Sequence, residues 1–130
     1  MSDSVFTKII KGEIPCHKIY EDDKNLAFMD IHPAQPGHVL VVSKQQVEYI
    51  WDLSDEDYSS LMNAVHRIGN RVREILKPTY VGISVEGNGV AHTHVHIIPF
   101  ETQAEFHHLA DQDAEPDHAA LAKMAQKLSF

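Results

Sequence analysis

Three histidines occupy alternate positions in the run His92-Thr93-His94-Val95-His96-Ile97-Ile98-Pro99. On a strand, alternate side chains share a face. His92, His94 and His96 are therefore expected on one side of a strand, spaced about 6.5–7 Å apart. Thr93, Val95 and Ile97 would then make its core side. Polar rings inside a protein need partners, so three on one face require a chemical reason. Two chemistries fit. His-x-His on a strand can present two ring nitrogens to one metal ion, and His38 or Asp30 could complete the set. Alternatively, one neutral imidazole is a nucleophile and its neighbours position a substrate and its charge. Spacing by itself leans toward the metal.

The rest of the composition narrows the setting. The 130 residues suffice for one compact domain and not for two. Lys and Arg total 11 against 19 Asp and Glu, a formal charge of −8. That argues against a protein that coats nucleic acid. The single cysteine, Cys16, excludes an internal disulfide and a multi-cysteine zinc site. Residues 1–15 carry no apolar secretory core, and no apolar run approaches the roughly 18 residues of a membrane span. A soluble cytoplasmic protein without a membrane partner is the expectation.

The elements that must hold the histidines read as follows. Phe6, Ile9 and Ile10 predict a short helix ending near Gly12. Strands are expected over 17–21 and 25–31, with a polar turn at 21–24, and over 38–42 after the Pro36-Gly37 break. Ser54 is a good N-cap, with Asp55, Glu56 and Asp57 suited to the first turn. Apolar residues then recur at helical spacing from Tyr58 to Leu76, predicting a long helix that Pro78 ends. Strands follow over 80–85 and 92–98. Residues 101–116 carry five acids without periodicity and read as a solvated loop in which His107 and His108 have no role beyond a weak surface metal site. Residues 119–128 predict a short terminal helix. The fold class is α+β, a mainly antiparallel sheet of about five strands with one long helix, in a single domain over 1–130 whose 101–130 portion is a tail with a short helix.

The run His-x-His-x-His followed by two apolar residues resembles the signature of the histidine triad superfamily. The resemblance extends through Phe6–Pro15, Tyr20–Asp23, Leu26–Pro33 and Pro36–Val42, in order, over most of residues 5–100. It is closest to the Hint-type nucleotide-binding branch and implies the histidine triad fold. It also implies chemistry at the α-phosphate of a nucleoside monophosphate derivative, a phosphoramidate or a dinucleoside polyphosphate. His94, the middle histidine, would attack to form a nucleotidyl-imidazole that water resolves. His92 would hold the orientation of His94, His96 would bond a phosphate oxygen or the leaving group, and His38 would complete the cluster. Asp30 stands where the family receives the ribose hydroxyls. Phe6, Phe28 and Ile31 match positions that sandwich the base, expected to be a purine. Asn88 and Gly89 match the phosphate loop. No metal and no cofactor are implied, and the resemblance implies a homodimer paired through the long helix and a sheet edge, with Met62 and Val72 as surplus apolar residues. Catalytic hydrolase or transferase is the first reading. A non-catalytic nucleotide-binding or sensor protein is the alternative.

The sequence also departs from the family. The stretch Glu86–Ala91 before the triad is shorter than the usual glycine-rich loop, which keeps the binding-protein alternative open. Ser4 and Thr7 stand near positions where some relatives carry zinc-binding cysteines, and Ser43-Lys44-Gln45-Gln46 lacks a histidine often found there. No Lys or Arg occurs between Pro78 and Ala122, so charge at phosphorus must be met by imidazole, amide and backbone donors unless Lys8, Lys44 or a second subunit reaches the site. That suits one α-phosphate better than a polyphosphate tail.

Overall fold

The structure, a computed structural model, describes residues 2–130. Helix α1 (Val5–Ile10) is capped by Ser4, whose side chain accepts from the Thr7 amide. Strands β1 (Lys18–Glu21), β2 (Asn25–Met29) and β3 (Val39–Ser43) follow. A short 3-10 turn (Ile50–Asp52) leads into α2 (Asp55–Leu76). Ser54 caps α2 as its position predicts, accepting from the Asp57 amide, and the helix stops at Lys77 in the left-handed region with φ 52° ahead of Pro78. Strands β4 (Tyr80–Ser84) and β5 (His94–Phe100) complete one antiparallel sheet in the order β1-β2-β3-β5-β4.

Alternation along the strands divides the interior in two. Ala27, Met29, Val39, Val41, Val95 and Ile97 face α2, packing on Leu61, Ala64, Val65, Ile68 and Val72. The intervening residues Leu26, Phe28, Leu40 and Val42 face the other way, where Phe6 of α1 covers part of them. β2 and β3 are thus buried on both faces, which is why they read as continuous apolar runs. On this second face Leu40 pairs with His96 and Val42 with His94, so the two histidines continue an apolar surface.

Three expectations need correction. β5 begins at His94, not at position 92: the amide and hydroxyl of Thr93 both donate to the Val47 carbonyl at 2.7 Å, which holds His92 and Thr93 in a bend before the ladder starts. The 101–116 stretch is not a plain loop, while the expected helix over 119–128 forms. Helix α3 (Gln103–Phe106) is set by a capping box between Thr102 and Glu105, and α4 (His118–Leu128) places Leu121, Ala125 and Leu128 in the main core. Val72 and Met62 are not surplus, since Val72 is fully buried and Met62 packs on the same core. Exposed apolar side chains include Tyr58 and Ile75 on α2, Tyr80 and Ile83 on β4, Val85 just beyond it, and Trp51, which is 86 % exposed; Val5, Ile31, Tyr49, Leu109 and Phe130 are exposed elsewhere.

Candidate active site

The part of this second face that α1 leaves open forms a cavity of about 830 Å³, within the size range of small-molecule sites. His94 and His96 of β5 and His38 at the start of β3 line it. So do Asp30 and Ile31, which follow β2, and Phe6, Phe28, Asn88 and Gly89. The sequence-derived residues thus converge on one cavity, with one exception. His92 is fully buried behind the wall and does not line it.

Hydrogen-bond partners fix the tautomers of the rings, because a carbonyl can only accept and an amide can only donate. His94 Nδ1 lies 2.7 Å from the His92 carbonyl, so Nδ1 carries the proton and Nε2 keeps its lone pair. His92 Nε2 donates to the Ser43 carbonyl at 2.6 Å, and its Nδ1 accepts from Ser4 Oγ at 2.6 Å. The Ser4 and Thr7 positions singled out in the sequence are therefore in contact with the triad. Ser4, the cap of α1, clasps His92, while Gln46 Oε1 accepts from the Ser4 amide at 2.8 Å and the Thr7 hydroxyl at 2.6 Å. Phe6 sets its ring edge-on to His94, centroid to centroid at 5.1 Å. His94 and His96 have ring centroids 5.2 Å apart, closer than two strand rises because the rings lean together.

Asp30 is tied into its turn. One carboxylate oxygen accepts from the His32 amide at 2.9 Å, and the other lies 3.4 Å from His38 Nε2. Asp30 Oδ, His38 Nε2 and His96 Nδ1 fall within 4.8 Å of one another, the one such metal-capable grouping among the described residues. The donor set does not fit a cation. His38 Nδ1 accepts from the Ala34 amide at 2.9 Å, so the neutral ring is protonated at Nε2 and offers no lone pair there. At the Asp30–His38–His96 grouping, then, His38 presents an N–H where a cation would need a lone pair.

Burial disfavours charge on the histidines of this cluster. His38 is pushed from 6.5 down to about 3, first by burial and then by the charge of His96. Burial also lowers His96 and His92, and raises Asp30. No Lys or Arg lines the cavity, and its carboxylates are Asp30 and Glu86. Lys44 is paired with Glu21 at 2.8 Å, and neither it nor Lys8 reaches the lining.

Sequence reasoning missed one wall. Phe106, His107, His108, Leu109, Ala110 and Gln112 line the cavity, so the stretch read as a solvated loop is a strap across the site. It is anchored by Phe106 against Phe100, by Gln35 Nε2 donating to the Glu105 carbonyl at 3.0 Å, and by a 3.1 Å contact from His32 Nε2 to the Ala114 carbonyl. The Thr102–Glu105 capping box was the local signal available for it.

The lowered histidine values predict a pH-dependent stability. The unfolded chain takes up protons near 6.5 while the folded rings resist, so stability is full above that value and falls as the pH drops toward the folded value of about 3. The raised Asp30 opposes this in part. The melting temperature should decline between about pH 6.5 and 4.5, above the carboxylate range. His38→Gln should flatten that decline, measured by circular dichroism. A flat wild-type profile would contradict the assignment.

Residues 11–103 match the HIT domain family. An uncharacterised HIT-like protein of Borreliella burgdorferi is 38 % identical over 106 residues, covering 76 % of this chain and 76 % of its own length. The adenosine 5'-monophosphoramidase hnt1 of Schizosaccharomyces pombe is 37 % identical over 101 residues, covering 73 % of this chain and 72 % of that protein. Among solved structures, a Hit-like protein involved in cell-cycle regulation from Bartonella henselae superposes with a TM-score of 0.83 at 29 % identity, over 97 % of this chain and 94 % of that one. With its five-stranded antiparallel sheet, its triad strand and a family match over most of its length, the chain belongs to the HIT family.

Proposed function

We propose that this protein is a nucleotide hydrolase or transferase that works at the α-phosphorus of a nucleoside monophosphate derivative through a covalent nucleotidyl-His94. The observation that carries the reading is the 2.7 Å bond from His94 Nδ1 to the His92 carbonyl, which leaves the Nε2 lone pair unpartnered on the cavity wall. In the first step Nε2 attacks phosphorus and the leaving group departs with its bonding pair. In the second, water displaces the imidazole and releases the nucleotide. Splitting the displacement this way replaces one difficult step by two easier ones.

The cavity supports roles for the other residues. Asp30 takes the ribose hydroxyls, Phe6, Phe28 and Ile31 hold the base, and Asn88 and the Gly89 amide meet phosphate oxygens. Gly89, at φ 84°, lets the backbone come close. The absence of Lys and Arg from the lining favours a single phosphate carrying an amine over a polyphosphate, whose charge would have no cation to meet it. The phosphoramidase activity named for the fission yeast relative is consistent with this preference.

The test is release of AMP from an aminoacyl-type adenosine phosphoramidate. His94→Ala should remove nearly all turnover while leaving AMP affinity within about two-fold. Asp30→Ala should weaken binding of a ribonucleotide by roughly 1.5–3 kcal/mol and of its dideoxy analogue little, since a hydrogen bond to a charged group is worth that much. Full activity in His94→Ala would overturn the mechanism. Nucleotide binding with no turnover in the wild type would leave a binding protein instead.

The uncovered apolar side chains of α2 and the edge strand β4 support a homodimer formed through that edge. Sedimentation at micromolar concentration should give about 29 kDa, twice 14.7 kDa. A monomer would contradict it.

A further inference from the structure

The ring of His38 is wired to a group that cannot change its role. The Ala34 amide donates to His38 Nδ1 at 2.9 Å, and an amide has no lone pair to offer in return. The proton of neutral His38 therefore sits on Nε2, where both neighbours are acceptors: His96 Nδ1 at 2.9 Å and Asp30 Oδ2 at 3.4 Å. His96 Nδ1 must then accept, which places the proton of His96 on Nε2, where it has no protein partner among the described residues. The polarity of the whole chain is set at its backbone end. The surface pair of His17 Nε2 and His118 Nδ1, also 2.9 Å apart, has no such anchor and can run either way.

The turn before His38 exists to aim that amide. Pro33 and Pro36 stiffen it, the Asp30 amide donates to the His38 carbonyl at 3.0 Å, and the His38 amide donates to Gln35 at 3.1 Å. Gly37 sits at φ +94°, where a Cβ would lie 2.5 Å from a Leu76 methyl. The Pro-Gly-His sequence thus has a definite physical purpose.

We propose that the Ala34 amide, acting through His38, holds His96 as a neutral Nε2–H donor, which makes His38 a positioning residue and stops His96 from serving as a proton carrier. A proton added to His96 Nδ1 would face the Nε2–H of His38. Relieving that clash by turning His38 to its other tautomer would set its Nδ1–H against the Ala34 amide. The groups that face His96 are His38 and Asp30 from the turn side, His94 along its strand, and Ser84 and Glu86 from the β4 side; His107 of the strap lines the same cavity. Glu86 pulls toward protonation of His96, while burial and the neighbouring His94 oppose it more strongly. The tautomer stands on geometry alone. Its consequence for turnover rests on the phosphoryl-transfer reading above.

The experiment is imidazole nitrogen NMR on the full chain labelled with 15N-histidine, assigned with His94→Asn and His96→Asn. His94 should show a protonated Nδ1, and His96 a protonated Nε2 with a bare Nδ1 that persists below the ordinary histidine value of about 6.5. In His38→Leu, His96 should exchange between tautomers, and the acid limb of kcat/KM should move up by about one pH unit. His38→Gln, whose amide N–H can still face His96, should keep both properties. A protonated Nδ1 on wild-type His96, or a His38→Leu variant unchanged in both readouts, would overturn the proposal. If His38→Leu does not fold, the wild-type spectra decide. If the wild type turns over no phosphoramidate, the functional reading fails while the spectra still test the tautomer.

Discussion

The hydrogen bond from His94 Nδ1 to the carbonyl of His92 is the constraint on which the site depends. It joins a ring to the backbone two residues earlier, so the bend that keeps His92 out of the ladder also decides which nitrogen of His94 is free. The other rings are committed in the same manner. His92 is held between the Ser43 carbonyl and the Ser4 hydroxyl, and His38 between the Ala34 amide and His96. Of the eight ring nitrogens in these four histidines, six are engaged with protein partners. The two that remain are unlike: a lone pair on His94 and an N–H on His96. A metal needs several lone pairs converging on one point. One nucleophile beside one donor suits displacement at phosphorus.

The electrostatics follow from the same arrangement. Burial of neutral imidazoles avoids the cost of buried charge, and each committed nitrogen satisfies a group that would otherwise be left unpaired. The cavity contains no Lys or Arg, so nothing raises the local positive charge. Donors that are fixed before the substrate arrives need no rearrangement as charge develops, and a preorganised donor of this kind is worth about 2.7–4 kcal/mol where measured. The fold supplies this rigidity by burying β2 and β3 on both faces and seating the histidines on the next strand.

What could be read from the sequence was what local pattern encodes. The apolar run of 39–43 and the alternation of 94–98 are consequences of strand geometry, and the Ser54 cap and the Tyr58–Leu76 stripe are consequences of helix geometry. His38, Asp30, Phe6 and Phe28 were placed by resemblance, and all line the cavity. What could not be read depends on partners far along the chain. The start of β5 is displaced by Val47, 46 residues from Thr93. The tautomer of His92 is set by the Ser43 carbonyl, 49 residues away, and its other nitrogen is met by Ser4, 88 residues away. Met62 and Val72 looked surplus because the α4 contribution to the core is invisible until the chain folds back. The strap at 101–117 looked solvated because its acids dominate its composition, while Phe106 and the Gln35 and His32 contacts bring it over the cavity.

The most direct test of the account is the site of covalent attachment. The wild-type protein would be mixed with an adenosine phosphoramidate bearing a good leaving group, quenched within milliseconds, digested, and mapped by mass spectrometry, with phosphorus–nitrogen NMR on the trapped peptide. The account predicts one nucleotidyl group, on His94 and bonded to Nε2. An adduct on Nδ1, on another histidine, or on the Ser4 hydroxyl would contradict it.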